Sequence, residues 1–286
     1  MPELYAPDIE WWVNENFQLI KSLGIFLSIL LVAAFQSLFP NRLALQKVFR
    51  NWRINMPLAG VNALLLSLLC GACVCAWALT VRDLKIGFYE LAGFPYWLEV
   101  AFTVILLDFV AWIWHIANHK WRLLWRFHSV HHSDETFEAS TGFRFHPGEL
   151  LISLGVRLLV VTATGLPLLG LILFEVIFGA FNLFVHSDLR LPPKAELILS
   201  WAVVTPSLHR MHHSASPEEH NRNFGTIFSF WDRIARTFLY ADSRSRVEVG
   251  LSGLNRSSLS FRGVLTMPFD DASGRSSNNR RKSDKR

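Results

Sequence analysis

Residues 96–132 read YWLEVAFTVILLDFVAWIWHIANHKWRLLWRFHSVHH. From Tyr96 to Trp114 this stretch is apolar almost throughout, interrupted by Asp108. A helix needs about 20 apolar residues to cross a hydrocarbon core, so the segment predicts a membrane span. It runs directly into His115 and His119, and then into His128, His131 and His132. A span that ends in a crowd of imidazoles sets the expectation for the chain: an all-α integral membrane protein with a histidine-rich site at one membrane boundary.

Upstream, Phe17 to Phe39 and Asn55 to Val81 read as two more spans. Downstream, Leu150 to Leu166 and Leu168 to Val185 are shorter and meet at the turn Gly165-Leu166-Pro167, with Arg157 interrupting the first. The expected architecture is about three transmembrane helices plus a membrane helical hairpin at 150–185, with a cytosolic helical cap holding a dimetal site. Residues 1–114 would carry the amino-terminal transmembrane helices and 115–240 the histidine-box catalytic region. Residues 241–286 would form a carboxy-terminal segment. Its Ser, Asn, Arg and Lys composition predicts a flexible basic tail from about residue 270.

Composition agrees. Of 286 residues, 51% are hydrophobic and 18% charged, below the roughly 25% charged of soluble proteins. This argues against a disordered chain, a disulfide-knit secreted module and an ordinary soluble enzyme. The net charge of +5 does not mean nucleic acid, because the basic residues flank apolar runs and no nucleic-acid motif accompanies them. Cys70, Cys73 and Cys75 lie inside one apolar run, so the C-x-x-C formed by the first two reads as small residues packed in a bilayer helix. The first fifteen residues lack a basic leader region, and no cleavable signal peptide is expected.

Loop charge orients the spans. Arg42, Lys47, Arg50 and Arg53 follow the first, whereas Arg82 and Lys85 after the second are offset by Asp83 and Glu90. The positive-inside rule then places the amino terminus outside and every histidine at the cytosolic boundary. Trp112, Trp114, Trp121 and Trp125 fit an interfacial aromatic belt.

All 11 histidines fall between His115 and His220. His115 and His119 form H-x3-H; His128, His131 and His132 form H-x2-H-H; His209, His212 and His213 repeat it. Helical positions i, i+3 and i+4 share a face, so each triplet is expected to aim three nitrogens at a common point. With His186 and His146 the candidates number ten, suited to two metals with four or five ligands each. Imidazole binds zinc, copper, iron and nickel alike, but a structural zinc is closed by four ligands that usually include Cys. His220 sits in the polar loop Glu218-Glu219-His220-Asn221 and reads as a bystander.

Asp108 lies two turns before His115, and a charge inside an apolar helix is costly. It is expected to accept the outer N–H of a ligating imidazole. Asp188, Asp134 and Glu149, each close behind a histidine, are candidates for the same task. Asn182, four residues before His186, reads as a hydrogen-bonding rather than a ligating residue. No H-E-x-x-H, G-x-S-x-G, P-loop or dinucleotide fingerprint occurs, so no bound flavin or NAD is expected. A metal transporter would spread its ligands at mid-membrane depth. That reading and a zinc-dependent membrane hydrolase stand as alternatives to an oxygenase.

One ordered series of motifs resembles the fatty acid hydroxylase/sterol desaturase superfamily. It runs from Asp108 through His115-x3-His119 and Leu124-Trp125-Arg126-Phe127-His128-Ser129-Val130-His131-His132-Ser133. Arg144-Phe145-His146-Pro147 and Asn182…His186-Ser187-Asp188 continue it. Thr205-Pro206-Ser207-Leu208-His209-Arg210-Met211-His212-His213-Ser214 and Asn223-Phe224-Gly225…Trp231-Asp232-Arg233 complete it. Ile116 stands where that family often has Arg. The resemblance implies a non-haem pair of iron ions, O2 as co-substrate, and hydroxylation or desaturation of a fatty acyl chain or sterol. It also implies an external electron donor of the cytochrome b5 or ferredoxin type with its reductase.

Overall fold

The computed structural model describes residues 6–38, 45–69, 71–240, 247–254 and 259–270. The expected flexible tail beyond 270, Arg42 and Cys70 lie outside the described residues, as does the side chain of Cys73. The chain folds as α1 (Ala6–Leu38), α2 (Leu45–Leu69), α3 (Gly71–Asp83), α4 (Phe88–Ala92), α5 (Tyr96–Lys120) and α6 (Arg122–His132). Then come α7 (Pro147–Thr164), α8 (Leu168–His186), α9 (Pro193–Leu199), α10 (Pro206–His212), α11 (Pro217–His220), α12 (Phe230–Ile234) and α13 (Phe261–Thr266). Only isolated bridges, Val203 with Phe228 and Ser214 with Val249, break the helical pattern among the described residues.

Among the described residues, four helices are long and apolar enough to cross a membrane: Ile9–Phe35, Tyr96–Lys120, Pro147–Thr164 and Leu168–His186. Their flanks expose Phe26 at 56%, Leu31 at 59% and Leu159 at 71%. A soluble protein rarely tolerates such contiguous apolar surface, so these faces require lipid, and the protein is a multi-pass membrane protein. Helix α8 is central, packed against α1 and α5. Side chains vanish where it is approached: a Cβ on Gly24 would meet Val176 at 2.7 Å, and one on Gly170 would meet Thr103 at 2.7 Å. Small residues at such crossings are how membrane helices gain packing area.

The second expected span, Asn55 to Val81, falls on α2 and α3, which flank Cys70, a residue outside the described ones. One face of α2 is polar. Asn51 donates to Asp134 and Glu138, Asn55 to Asp134 and Ser140, and Asn62 to the carbonyl of Phe145. This helix therefore buttresses the polar segment after α6. The hairpin forms as expected, and its turn crosses the loop before α4 at backbone distance. Gly165 adopts φ 64°, and a Cβ there would lie 2.5 Å from the carbonyl oxygen of Ile86.

One end of the bundle is tied by polar contacts. Glu10 accepts from the Tyr96 hydroxyl at 2.7 Å and from the Leu168 amide at 3.2 Å. Arg82 pairs with Glu99 and caps the Gly165 carbonyl. Tyr96 and Leu168 begin α5 and α8, whereas His119 and His186 lie at their other ends. The histidines thus gather at the opposite end. Helix α5 also runs unbroken to Lys120, so His115 and His119 belong to the last turns of a span rather than to a separate cap.

Candidate metal centre

Four helices deliver nine imidazoles to two adjacent clusters. His115, His119, His128, His132 and His212 bring ligand atoms within 4.8 Å of one another, and so do His131, His186, His209 and His213. The expectation that each triplet serves one point is corrected. Positions i and i+4 fall about 40° apart around a helix and i+3 falls on the other side of i, so each triplet splits. In α6, His128 and His132 join the first cluster and His131 the second; in α10 and the residue that caps its end, His209 and His213 join the second and His212 the first. The two boxes interleave, and each stiffens both clusters. The rings of His132 and His213 stack at 4.3 Å across the boundary between them.

Ring tautomers are set from outside. His128 Nδ1 donates to Glu149 at 2.8 Å, His115 Nδ1 to the Phe224 carbonyl at 2.7 Å, and His212 Nδ1 to the Arg222 carbonyl at 2.8 Å. His186 Nδ1 donates to the carbonyl of Asn182 at 2.7 Å. These partners only accept, so the proton must sit on Nδ1 and the Nε2 lone pair must face inward. In the second cluster His186 Nε2 lies 3.1 Å from His131 Nε2, 3.0 Å from His209 Nε2 and 3.3 Å from His213 Nε2. One lone pair cannot accept from three rings. Nitrogens bound at about 2.0–2.1 Å to one cation, as in zinc sites, would stand roughly 3 Å apart, and these do.

The first cluster shows the same fit. His115 Nε2 and His212 Nε2 are 2.9 Å apart. Both ring nitrogens of His119 and of His132, and Nε2 of His128, are buried without a hydrogen-bond partner. Buried polar atoms left unpaired are costly, and a metal is the acceptor of lone pairs that accounts for them. The residues present fit two cations held by nitrogen.

Outside the spans, burial first and neighbouring imidazoles second hold His131, His132, His209, His212 and His213 well below the usual histidine value. They are neutral, as ligation requires. Because the folded values are depressed, the unfolded chain binds more protons below about pH 6.5, and stability falls with falling pH there. Metal retention and thermal midpoint are therefore expected to drop together on acidification below about pH 6.5; profiles that stay flat down to about pH 5 would refute this.

His146 is corrected: it lies in neither cluster. Its Nδ1 caps α7 by accepting from the Gly148 amide at 2.9 Å, and its Nε2 reaches the Leu265 carbonyl at 3.1 Å. A histidine just before Pro147 is at an N-cap, where its side chain serves the helix start. His220 also lies outside the clusters, stacked on Trp125 at 5.5 Å. Trp125 in turn packs on His119 and His132 at 5.0 and 5.4 Å. Of the four expected belt tryptophans, Trp121 is exposed at 65%, whereas Trp112 donates to Asp232.

The expected role of Asp108 is corrected as well. Asp108 accepts from Trp231 Nε1 at 2.8 Å and from the Phe228 amide at 3.4 Å, so it anchors a loop rather than an imidazole. Asp188 pairs with Arg210, whose guanidinium lies 4.6 Å over the Phe137 ring; it acts on the histidines at one remove. The side chain of Asn182 donates to the Gly142 carbonyl at 2.7 Å, and only its backbone oxygen orients His186. Glu149 is the carboxylate that takes an imidazole N–H. Replacing Glu149 with Ala is expected to weaken metal binding and turnover about 10–100-fold, read from metal content under competition with a chelator. Unchanged retention would show that His128 needs no orienting partner.

Two further devices escaped the sequence. Asn223 sits at φ 53° and binds the Leu208 and Leu239 carbonyls and the Leu239 amide. Asp232 accepts from the Phe224 and Gly225 amides at 3.0 and 2.8 Å. Together they aim the carbonyls of Arg222 and Phe224 at His212 and His115. The motifs Asn223-Phe224-Gly225 and Trp231-Asp232-Arg233 carried the signal, without revealing what those residues touch. Phe137, fully buried at φ 50°, packs on His213 at 4.9 Å and His186 at 5.5 Å. Strained backbone of this kind clusters at functional sites, and here it shields the second cluster from water.

An apolar cavity adjoins the site. About 190 Å³ in volume, it lies between α5, α7 and α8, walled by Leu107, Val110, Trp114, Phe174 and Phe178. At its upper end are Glu149, bonded to His128, and Phe145, stacked on His131 at 4.4 Å and 10°.

Among known proteins, residues 100–237 match the model of the fatty acid hydroxylase family. The chain is 30% identical over 178 residues to ornithine lipid hydroxylase OlsE of Rhizobium tropici, covering 61% of this chain and 51% of that protein. It is 27% identical over 140 residues to alkylglycerol monooxygenase of Caenorhabditis elegans, covering 48% of this chain and 26% of that one. It is 29% identical over 151 residues to human cholesterol 25-hydroxylase, covering 52% and 54%. The match thus spans about half, or less, of each of these relatives. No solved structure matches. The stretch that is similar to the fatty acid hydroxylase family, residues 100–237, carries every histidine of the two clusters.

Proposed function

We propose that this protein is a membrane-bound, O2-dependent oxygenase that hydroxylates a lipid, with a pair of iron ions in the two histidine clusters. The observation that carries the reading is the junction of nine inward-facing imidazoles with an apolar cavity at hydrocarbon depth. The relatives named above are hydroxylases and monooxygenases, which favours oxygen insertion over desaturation. His115, His119, His128, His132 and His212 would hold one ion and His131, His186, His209 and His213 the other. When bound, such a pair supplies the redox chemistry that activates O2 toward a C–H bond.

The chain supplies the rest. Glu149 and the carbonyls of Asn182, Arg222 and Phe224 keep four imidazoles from turning. Phe137 and Phe145 flank the clusters and exclude water, and Trp114 and Phe178 guide an alkyl segment from the bilayer. Lys47, Arg50 and Arg53 share α2 with Asn51, which binds Asp134 beside His132, so basic residues gather at the histidine end. That supports a cytosolic site by the positive-inside rule. Exposed Lys120 and Arg122 at the same end suit an acidic one-electron carrier, of the cytochrome b5 or ferredoxin type, delivering electrons from a separate reductase.

The test is direct. Purified protein loaded with iron is expected to bind close to two ions and, given O2 and a reductant, to add one oxygen atom to a membrane lipid, read by lipid mass spectrometry. Loss of two hydrogens would mean desaturation. Turnover that continues without O2 would end the oxygenase reading in favour of a hydrolase.

A further inference from the structure

Three charged side chains meet in the middle of the membrane-spanning helices, far from the histidines. Glu175 of α8 accepts from Arg157 of α7 through one carboxylate oxygen and from Lys21 of α1 through the other. Two cations thus share one carboxylate, and the set carries one positive charge in excess. The titratable neighbour is Cys75, which lines the same space and carries no charge as a thiol. Among the described residues lining that space, no further acid is present to balance the set.

A net charge at this depth is expensive and marks a pathway or ligand site by default. A trio serving only to join α1, α7 and α8 would be better neutral. The guanidinium also has capacity to spare: Arg157 offers five donors, and its side chain is 37% exposed.

Arg157 lines the 190 Å³ cavity at the end away from Glu149. It also lines a second, 90 Å³ cavity together with Lys21 and Glu175. Glu149 and Arg157 lie eight residues apart on the same helix, about 12 Å along its axis. An apolar channel therefore has imidazole-bound chemistry at one end and an uncompensated cation at the other.

We infer that Lys21, Arg157 and Glu175 form a subsite for a compact anionic group, a carboxylate, on the lipid substrate, setting it about 12 Å from the carbon to be oxidised. The ligand's anion completes a neutral set of two cations and two anions, and the alkyl chain fills the apolar walls between Arg157 and Phe145. For the identity of its oxidised end this inference rests on the lipid-oxygenase reading; the charge imbalance and the cavity stand without it.

The experiment compares decanoate with methyl decanoate, which share a chain and differ in charge. Binding is read from thermal stabilisation of the detergent-solubilised, metal-loaded protein over a ligand titration. Wild type is expected to bind decanoate about 10–100-fold more tightly than the ester, the worth of a hydrogen-bonded charge. Arg157→Gln or Lys21→Gln is expected to erase that preference by weakening decanoate alone. Glu175→Gln, which raises the excess charge, is expected to strengthen it. Equal binding of acid and ester by wild type overturns the inference whether or not any variant folds, and so does a preference that survives Arg157→Gln. A carboxylate preference without O2-dependent oxidation would sink the oxygenase reading and leave the subsite standing; oxidation without the preference would do the reverse.

Discussion

Replacing His131 or His132 with alanine is expected to abolish turnover, yet each variant should lose a different metal ion. His132 belongs to the cluster of five imidazoles and His131 to the cluster of four, although they are adjacent in sequence. Each single variant should therefore retain close to one ion, and the double variant close to none. The loss of activity should exceed the roughly 10–100-fold typical of an outer partner, because an inward-facing ring is removed outright. Metal content by mass spectrometry, measured on protein that still inserts into membranes, decides the matter. If His131→Ala and His132→Ala remove the same ion, the interleaved assignment is wrong. Retained turnover in both would discard the clusters as the site.

The second large effect concerns folding. Arg144→Ala is expected to cost about 3–5 kcal/mol, a large share of the 5–15 kcal/mol that holds most domains together. Arg144 is 1% exposed and donates to the Val130 carbonyl, to Ser133 and to Asn55. It thereby closes the carboxy-terminal end of α6, the helix that bears the first triplet. Burial alone would raise the Asp134 carboxyl, but Arg144, Asn51 and Thr141 hold it below the usual range. Removing the guanidinium takes away the positive charge near that buried carboxylate and leaves it only its neutral hydrogen-bond donors. The variant should show a lower thermal midpoint and loss of both metals together. A normal midpoint with metals retained would show that Asn51 and Asn55 suffice for Asp134.

These two predictions differ in how far sequence could reach. The triplets were legible because imidazoles at i, i+3 and i+4 are rare by chance and must share one side of a helix. Their division between two clusters was not, because it depends on where α10 and α8 stand relative to α6. His146 shows the same limit from the other side. Its place among ordered histidine motifs made it a candidate, but the contacts of its two nitrogens with Gly148 and Leu265 are local and tertiary facts. Asp108 was rightly marked as costly in an apolar helix, but its partner, Trp231, is 123 residues away.

By itself, the sequence determined that this is an all-α membrane protein with its histidines at one end of apolar spans. Hydropathy and helical spacing are properties of the chain alone, and water and hydrocarbon act on them before any tertiary contact forms. Only the tertiary structure decided which imidazoles share a cluster, that Glu149, Asn182, Arg222 and Phe224 set four of their tautomers, and that Lys21, Arg157 and Glu175 meet. Those facts depend on distances between segments far apart in the chain, and coordination and charge compensation act only over a few ångströms.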